Sequence, residues 1–131
     1  MKLTEKQYKL FLKNRLDVQI KQNKYHNKKI EYDGYKFDSQ KEKNYYVVLK
    51  ELEKHGYITD LQLQVKFELQ PSFKYDGKTI RAITYIADFV YFNIQENKII
   101  VVDVKGFKTK EYLLKKKMFM FKYKNYKFVE I

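Results

Sequence analysis

The chain has 131 residues, with 28 Lys+Arg against 16 Asp+Glu and a formal net charge of +12, a length that suits one domain and leaves no room for two ordinary ones. Hydrophobic residues at 44% and aromatics at 18%, with only four Gly and one Pro, exclude fibrous and low-complexity classes and a disordered basic tail. Having no Cys excludes disulfides, thiolate zinc sites and Cys nucleophiles, and having only His26 and His55 argues against a His-rich metal site or a Ser-His-Asp triad.

Thr4-Glu5-Lys6-Gln7 is a capping-box pattern, and Tyr8, Phe11, Leu12 and Leu16 follow at helical spacing, which predicts a basic first helix over about 4–21. Lys28–Tyr32 and Tyr35–Phe37 flank Asp33-Gly34, a strong hairpin signal. Ser39-Gln40-Lys41-Glu42 is a second capping box. It opens a helix with Tyr45, Tyr46, Val48, Leu49 and Leu52 inward and Gly56 as its stop. From Ile58 the period becomes that of a strand. Leu61, Leu63, Val65, Phe67 and Leu69 alternate with polar residues until Pro71 ends the run. Phe73-Lys74-Tyr75, Asp76-Gly77 and Lys78-Thr79-Ile80 read as another hairpin. Ile83 to Phe92 reads as a central strand, apolar on both faces apart from Thr84 and Asp88. Glu96-Asn97 is a turn, and Lys98 to Gly106 is a second buried strand. A helix follows over about 109–123 with Tyr112, Leu113, Phe119 and Met120 among its apolar positions, and Tyr126 to Ile131 closes as a strand. The order α, ββ, α, βββ, α, β predicts one mixed α/β domain.

Residues 1–30 carry +7, residues 31–105 carry −1 and residues 106–131 carry +6. Both ends are basic, which suits a polyanion, and the near-neutral middle holds most of the carboxylates. Only Arg15 and Arg81 are Arg. Lys serves phosphates as a point charge, whereas the Arg fork reads guanine edges, so the composition leans toward backbone rather than sequence recognition of nucleic acid. A Lys-rich genome composition accounts equally well for the Lys/Arg ratio and less well for the net charge. No apolar run approaches the roughly 18 residues that span a bilayer, and the first residues lack a signal peptide's apolar stretch. The expectation is a cytoplasmic protein without a membrane partner.

Two acids interrupt apolar strands: Asp88 within Tyr85–Tyr91 and Asp103 within Ile99–Val104. An ionised carboxylate is costly to bury without a partner, and Asp has poor strand propensity, so each wants a cation. Asp103 and Lys105, at i and i+2 of a strand, share a face. Asp88 and Asp103 stand equally far from the Glu96 turn, a register that would bring them opposite each other. Oxygen ligands without Cys or His select Mg²⁺ or Mn²⁺, and a Lys beside such a metal can orient an attacking water and offset charge on a phosphate.

Asp88 and Asp103-Val104-Lys105, with the upstream helix start Phe37-Asp38-Ser39-Gln40-Lys41-Glu42 and Tyr45, resemble the PD-(D/E)xK nuclease superfamily. More narrowly, Tyr32-Asp33-Gly34, Phe37-Asp38-Ser39, Glu42, Tyr85-Ile86-Ala87-Asp88-Phe89 and Val102–Gly106 resemble a small phage-encoded family of uncharacterised nuclease-like proteins over about 25–131. Ala87 stands where the superfamily's name has Pro. The resemblance implies a restriction-endonuclease-like α/β core, a mixed central sheet flanked by helices over 25–131, with 1–24 as a basic helical extension. It implies that Glu42, Asp88, Asp103 and the Val104 carbonyl bind Mg²⁺, with Mn²⁺ able to substitute, and that Lys105 positions or activates the water. Glu42 reads equally as the end of a capping box, and Asp103 with Lys105 as a same-face ion pair. Lys108, Lys110, Lys115, Lys116, Lys117 and Arg81 are candidate DNA contacts, each also readable as a solvated surface charge. Gln64 borders the site or is solvated.

The function so implied is a metal-dependent endodeoxyribonuclease of phage or prophage type, acting alone or as a homodimer on branched or duplex DNA, with Holliday junction resolution as the leading subtype. The alternatives are a nicking or end-processing nuclease and a non-catalytic nucleic-acid-binding protein on the same fold.

Overall fold

The computed structural model describes residues 29–131. The helix expected over about 4–21, and with it the extension 1–24, lies outside the described residues. The described order is β1 (Ile30–Tyr32), β2 (Tyr35–Phe37), α1 (Gln40–Lys54), β3 (Ile58–Gln70), β4 (Phe73–Tyr75), β5 (Lys78–Ile80), β6 (Ile83–Asn93), β7 (Lys98–Asp103), α2 (Lys110–Lys122) and β8 (Lys127–Glu130). The chain is mixed α/β. Strands β3, β6, β7 and β8 form a sheet in that order, while β1-β2 and β4-β5 are separate two-stranded ribbons. The chain divides into two compact units, one reaching to Leu61 and including Tyr91–Asn97, the other made of Gln62–Val90 and Lys98–Ile131. Among the described residues, no helix is long and apolar enough to cross a membrane.

In the first unit, β1 and β2 pair antiparallel around Asp33 and Gly34, both at positive φ, which is the turn that matches strand twist. Helix α1 starts where the capping box places it: the Ser39 hydroxyl accepts the Glu42 N–H at 3.1 Å. It ends with Gly56 at φ +78°, the Tyr57 N–H bonding the Leu52 carbonyl and the Gly56 N–H the Glu53 carbonyl. Those two bonds form a Schellman motif, which needs the left-handed residue that Gly supplies without strain. The face of α1 carrying Tyr45, Tyr46, Val48, Leu49 and Leu52 is buried, and the Tyr46 ring lies 5.2 Å from Phe37 and 5.6 Å from Tyr35. The Tyr46 hydroxyl donates to Asp33, fixing the hairpin turn to the helix.

The second unit is built on the sheet. Strand β8 pairs parallel to β7 in the register Ile100↔Lys127 to Asp103↔Glu130, and α2 makes the crossover that parallel pairing requires. Thr109 caps α2 by accepting the Tyr112 N–H at 3.1 Å. The core here is aromatic. Phe119 lies 5.0 Å from Phe67, 5.6 Å from Tyr85 and 5.7 Å from Phe128, in the edge and tilted geometries that rings favour. Tyr112 and Phe119 are the buried positions of α2, two turns apart on one stripe. Leu113 and Met120, expected among the apolar positions, are instead exposed, because each lies about 100° around the helix from that stripe.

Two substitutions on α2 separate the buried stripe from the open face. Phe119→Ala is expected to cost about 3–5 kcal/mol in urea unfolding. Phe121→Ala, whose side chain is 75% exposed, is expected to stay within about 0.5 kcal/mol of the parent.

Candidate active site

The sequence 103–105 is held straight beyond the end of β7. The Ile131 N–H bonds the Asp103 carbonyl and the Lys105 N–H bonds the Ile131 carbonyl, each at 2.9 Å, so the parallel ladder continues on both sides of Val104. Extended backbone puts Asp103 and Lys105 on one face, and the Lys105 ammonium lies 3.4 Å from Asp103 Oδ1. Asp103 is 1% exposed. Its Oδ2 accepts the Tyr85 hydroxyl at 2.5 Å, whereas its Oδ1 is buried and makes no hydrogen bond. The ammonium is thus close enough for an ion pair without a bonding alignment. Asp88, half-buried on β6, accepts the Val104 N–H on Oδ2 at 2.7 Å and faces Gln64 Nε2 from Oδ1 at 3.4 Å. Equal distance from the turn therefore brings Asp88 to the residue beside Asp103.

Burial raises the Asp88 carboxyl from its ordinary 3.8 to about 6; the Asp103 charge adds to the rise, while the Val104 N–H, Lys105 and Gln64 oppose it. Burial likewise pushes the Tyr85 hydroxyl far above its ordinary value, with the bond to Asp103 adding to the effect, so it remains a donor. Lys105 is held from below as well, its ammonium 4.5 Å over the Tyr112 ring. The Tyr112 hydroxyl donates to Glu130, which Lys108 and Lys116 also hold at 2.7 and 3.3 Å. The Lys108 and Tyr112 hydrogen bonds lead in lowering the Glu130 carboxyl to about 2.

A cleft of about 290 Å³ opens beside this group, lined by Thr84, Lys105, Thr109, Tyr112 and Lys115 among others. Lys105 is 32% exposed, so its ammonium can meet a ligand there. No group of three or more His, Cys, Asp or Glu side chains converges among the described residues. The two carboxylates nevertheless suit Mg²⁺ or Mn²⁺ in donor chemistry, since Mg²⁺ keeps several of its waters, and a buried carboxylate oxygen without a hydrogen bond is a hard donor with capacity to spare.

Asp88, Asp103, Val104 and Lys105 come together in the second unit. Glu42 belongs to the first unit, 4% exposed on α1, where its backbone fulfils the capping half of its expected role. Of the candidate DNA contacts, Lys108 and Lys116 pair with Glu130 and Lys115 with Glu111 at 3.1 Å, while Lys110, Lys117 and Arg81 are exposed. Sequence reasoning missed Tyr85, Tyr112 and Glu130. The Asp103–Glu130 register pairing and the hydroxyl bonds are set by tertiary packing, and a Tyr three residues before Asp88 was the only local signal.

The fold is mixed α/β, with two carboxylates and a lysine gathered at the end of β7. The family described as Protein of unknown function (DUF1064) matches residues 22–131, and the chain belongs to that family. No curated protein and no solved structure matches it.

The Asp88 titration is measurable by carboxyl NMR in the presence of a chelator. A midpoint near 6 is expected, moving down in Asp103→Asn as the neighbouring negative charge goes. Because folding raises this pKa above 3.8, its contribution to stability is complete below that value and is lost as pH rises through about 6. Asp88→Asn is expected to remove that part of the pH dependence in chemical unfolding. A wild-type midpoint near 4 would contradict the burial and proximity described.

Proposed function

We propose that the protein is a metal-dependent endodeoxyribonuclease of phage or prophage recombination or replication, with branched DNA of the Holliday-junction type as its leading substrate. The observation that carries this reading is the buried Asp103 carboxylate, one oxygen without a hydrogen bond, beside Lys105 and bearing on the raised Asp88. Fold stability alone does not call for such an arrangement, since an isolated buried carboxylate is a cost. Carboxylates perturbed by burial and a specific charge partner cluster at functional sites.

On this reading Asp88, Asp103 and the Val104 carbonyl hold Mg²⁺, and the resemblance adds Glu42 to that set. The ion, when bound, supplies Lewis-acid stabilisation of a phosphoryl oxygen and a more acidic water. The chain's own residues do the rest. Tyr85 ties down Asp103 Oδ2, leaving Oδ1 without a hydrogen bond, while the Val104 N–H and Gln64 hold the Asp88 oxygens in fixed directions. The Tyr112 ring keeps the Lys105 ammonium beside Asp103, where it can orient the attacking water and counter charge growing on the phosphate. Attack of the water oxygen on phosphorus forms one P–O bond and breaks another, and the departing alkoxide takes up a proton. Exposed Lys110, Lys117 and Arg81, together with the paired Lys108, Lys115 and Lys116, supply positive charge for the DNA backbone.

Cleavage of supercoiled, linear and four-way-junction DNA with Mg²⁺ or Mn²⁺ tests this. Wild type is expected to cut the junction in preference to linear duplex, and Asp103→Asn and Lys105→Ala to lose about 10²–10³-fold or more in rate. Glu42→Gln is expected to lose rate as well; full activity would leave Glu42 as a helix cap only. Mg²⁺ is expected to raise the melting temperature of wild type at pH 7.5 more than at pH 5, and not that of Asp103→Asn, because the carboxylates must be ionised to bind it. DNA binding with no metal-dependent cutting would leave the non-catalytic reading in its place, and indifference to DNA structure would remove the junction subtype.

A further inference from the structure

Between β3 and β6 the chain leaves the sheet as the β4-β5 ribbon, and every residue from Pro71 to Arg81 is exposed. The register Phe73↔Ile80, Lys74↔Thr79, Tyr75↔Lys78 puts Phe73, Tyr75, Lys78 and Ile80 on one face and Lys74 and Thr79 on the other. Asp76 and Gly77 turn the ribbon with φ of +51° and +72°, the turn that matches strand twist. A lone two-stranded ribbon is at best marginally stable in water, and this one leaves its aromatic face bare, with Tyr75 72% exposed. The self-association and folding costs of such a face go unanswered within the described residues.

Its charge says what covers it. Lys74, Lys78 and Arg81 stand against Asp76 alone, an excess of positive charge on an otherwise apolar ribbon. Lys is depleted at protein–protein interfaces, and a second copy of this chain would bring its own net charge of +12 to the contact. A polyanion meets the cations, and its sugars and base edges meet the aromatic face. The ribbon is rooted beside the cleft: β6 begins at Ile83, and the next residues, Thr84, Tyr85 and Ile86, line the wall that Lys105 shares. From that root, strands of three residues reach on the order of 10 Å, and the major groove of duplex DNA, about 12 Å wide and 8.5 Å deep, admits a two-stranded ribbon.

We infer that β4-β5 is a DNA-gripping arm that lies in a groove of the duplex adjoining the cleft, with Lys74, Lys78 and Arg81 on phosphates and Phe73 and Tyr75 against sugars and bases. The choice of DNA rests on the nuclease reading, whereas the arm itself is read out by binding. The test compares wild type with Lys74→Ala/Lys78→Ala/Arg81→Ala by fluorescence anisotropy on a labelled duplex, in chelator, over a salt series. All three positions are exposed, so circular dichroism and melting temperature are expected to stay unchanged. Affinity is expected to fall about 10- to 100-fold, and the slope of log K against log salt to become shallower by about 2–3 units, as three phosphate contacts are lost. The chain has no Trp, so Tyr75→Trp adds a single indole at the arm, and DNA is expected to quench it. Unchanged affinity and slope in the triple variant overturn the arm, as does an unquenched indole in a DNA-bound Y75W complex. Dissociation of a wild-type dimer by the same substitutions, with DNA affinity kept, overturns it in favour of a second copy as occupant. No DNA binding by wild type overturns both readings. Arm-dependent binding without cutting in Mg²⁺ or Mn²⁺ leaves the arm standing and removes the nuclease.

Discussion

The second unit is organised around one constraint, the burial of the Asp103 charge. A carboxylate withdrawn from water must be given donors or be neutralised, and Asp103 receives the Tyr85 hydroxyl on one oxygen and a nearby ammonium on the other. Each of those partners needs support of its own. Tyr85 is fixed by ring contacts with Phe67, Phe119 and Phe128, so the aromatic core and the carboxylate are parts of one packing problem. Lys105 rests on Tyr112, Tyr112 on Glu130, and Glu130 is the register neighbour of Asp103 on the adjacent parallel strand. The sequence of contacts closes on itself, which explains why α2 must sit where it does after β7.

What could be read from the sequence follows the range of the interaction involved. The Ser39 cap and the two Asp-Gly turns depend on residues within four positions of each other, and the structure has them where local chemistry puts them. Gly56 likewise ends α1, as the residue after the His55 cap rather than as the cap itself. The alternation through β3 predicts a half-buried strand and one forms. On α2 the apolar positions do not say which face is covered, because Tyr112–Phe119 and Leu113–Met120 have the same spacing, and only the position of the sheet buries the first pair and leaves the second exposed. The carboxylate pair was legible as an anomaly, two Asp in apolar strands, and turn counting gave its register. The tyrosines that hold it were not, since Tyr85 and Asp103 are 18 positions apart and nothing local links them.

The lysines show a similar division between composition and geometry. The excess of positive charge toward the C-terminal end is plain in the sequence, but composition cannot say which ammoniums are already paired. Glu130 engages Lys108 and Lys116 and is held ionised down to about 2. Ion pairs at this level of exposure hold side chains in place more than they stabilise the fold. Two cations around one anion still leave a positive field, so pairing orients these lysines without cancelling their attraction for a polyanion.

The charges at the site do not balance by themselves. Asp88 and Asp103 repel, and the raised Asp88 carboxyl shows that Lys105 and the Val104 N–H together do not offset burial and the Asp103 charge. A structural ion pair would be expected to settle the Asp88 carboxyl below its ordinary value, as Lys108 and Tyr112 settle Glu130. One proton shared into the site is one way to relieve the excess at low pH, and a divalent cation is the other at neutral pH. Asp103 Oδ1, buried and without a hydrogen bond, is the atom through which the second route would act. A fold that needed only stability could replace the pair with apolar residues of like volume at little cost, as buried ion pairs elsewhere can be replaced. On the proposed reading, the strain at Asp88 and Asp103 prepares the site for a ligand that carries positive charge into it.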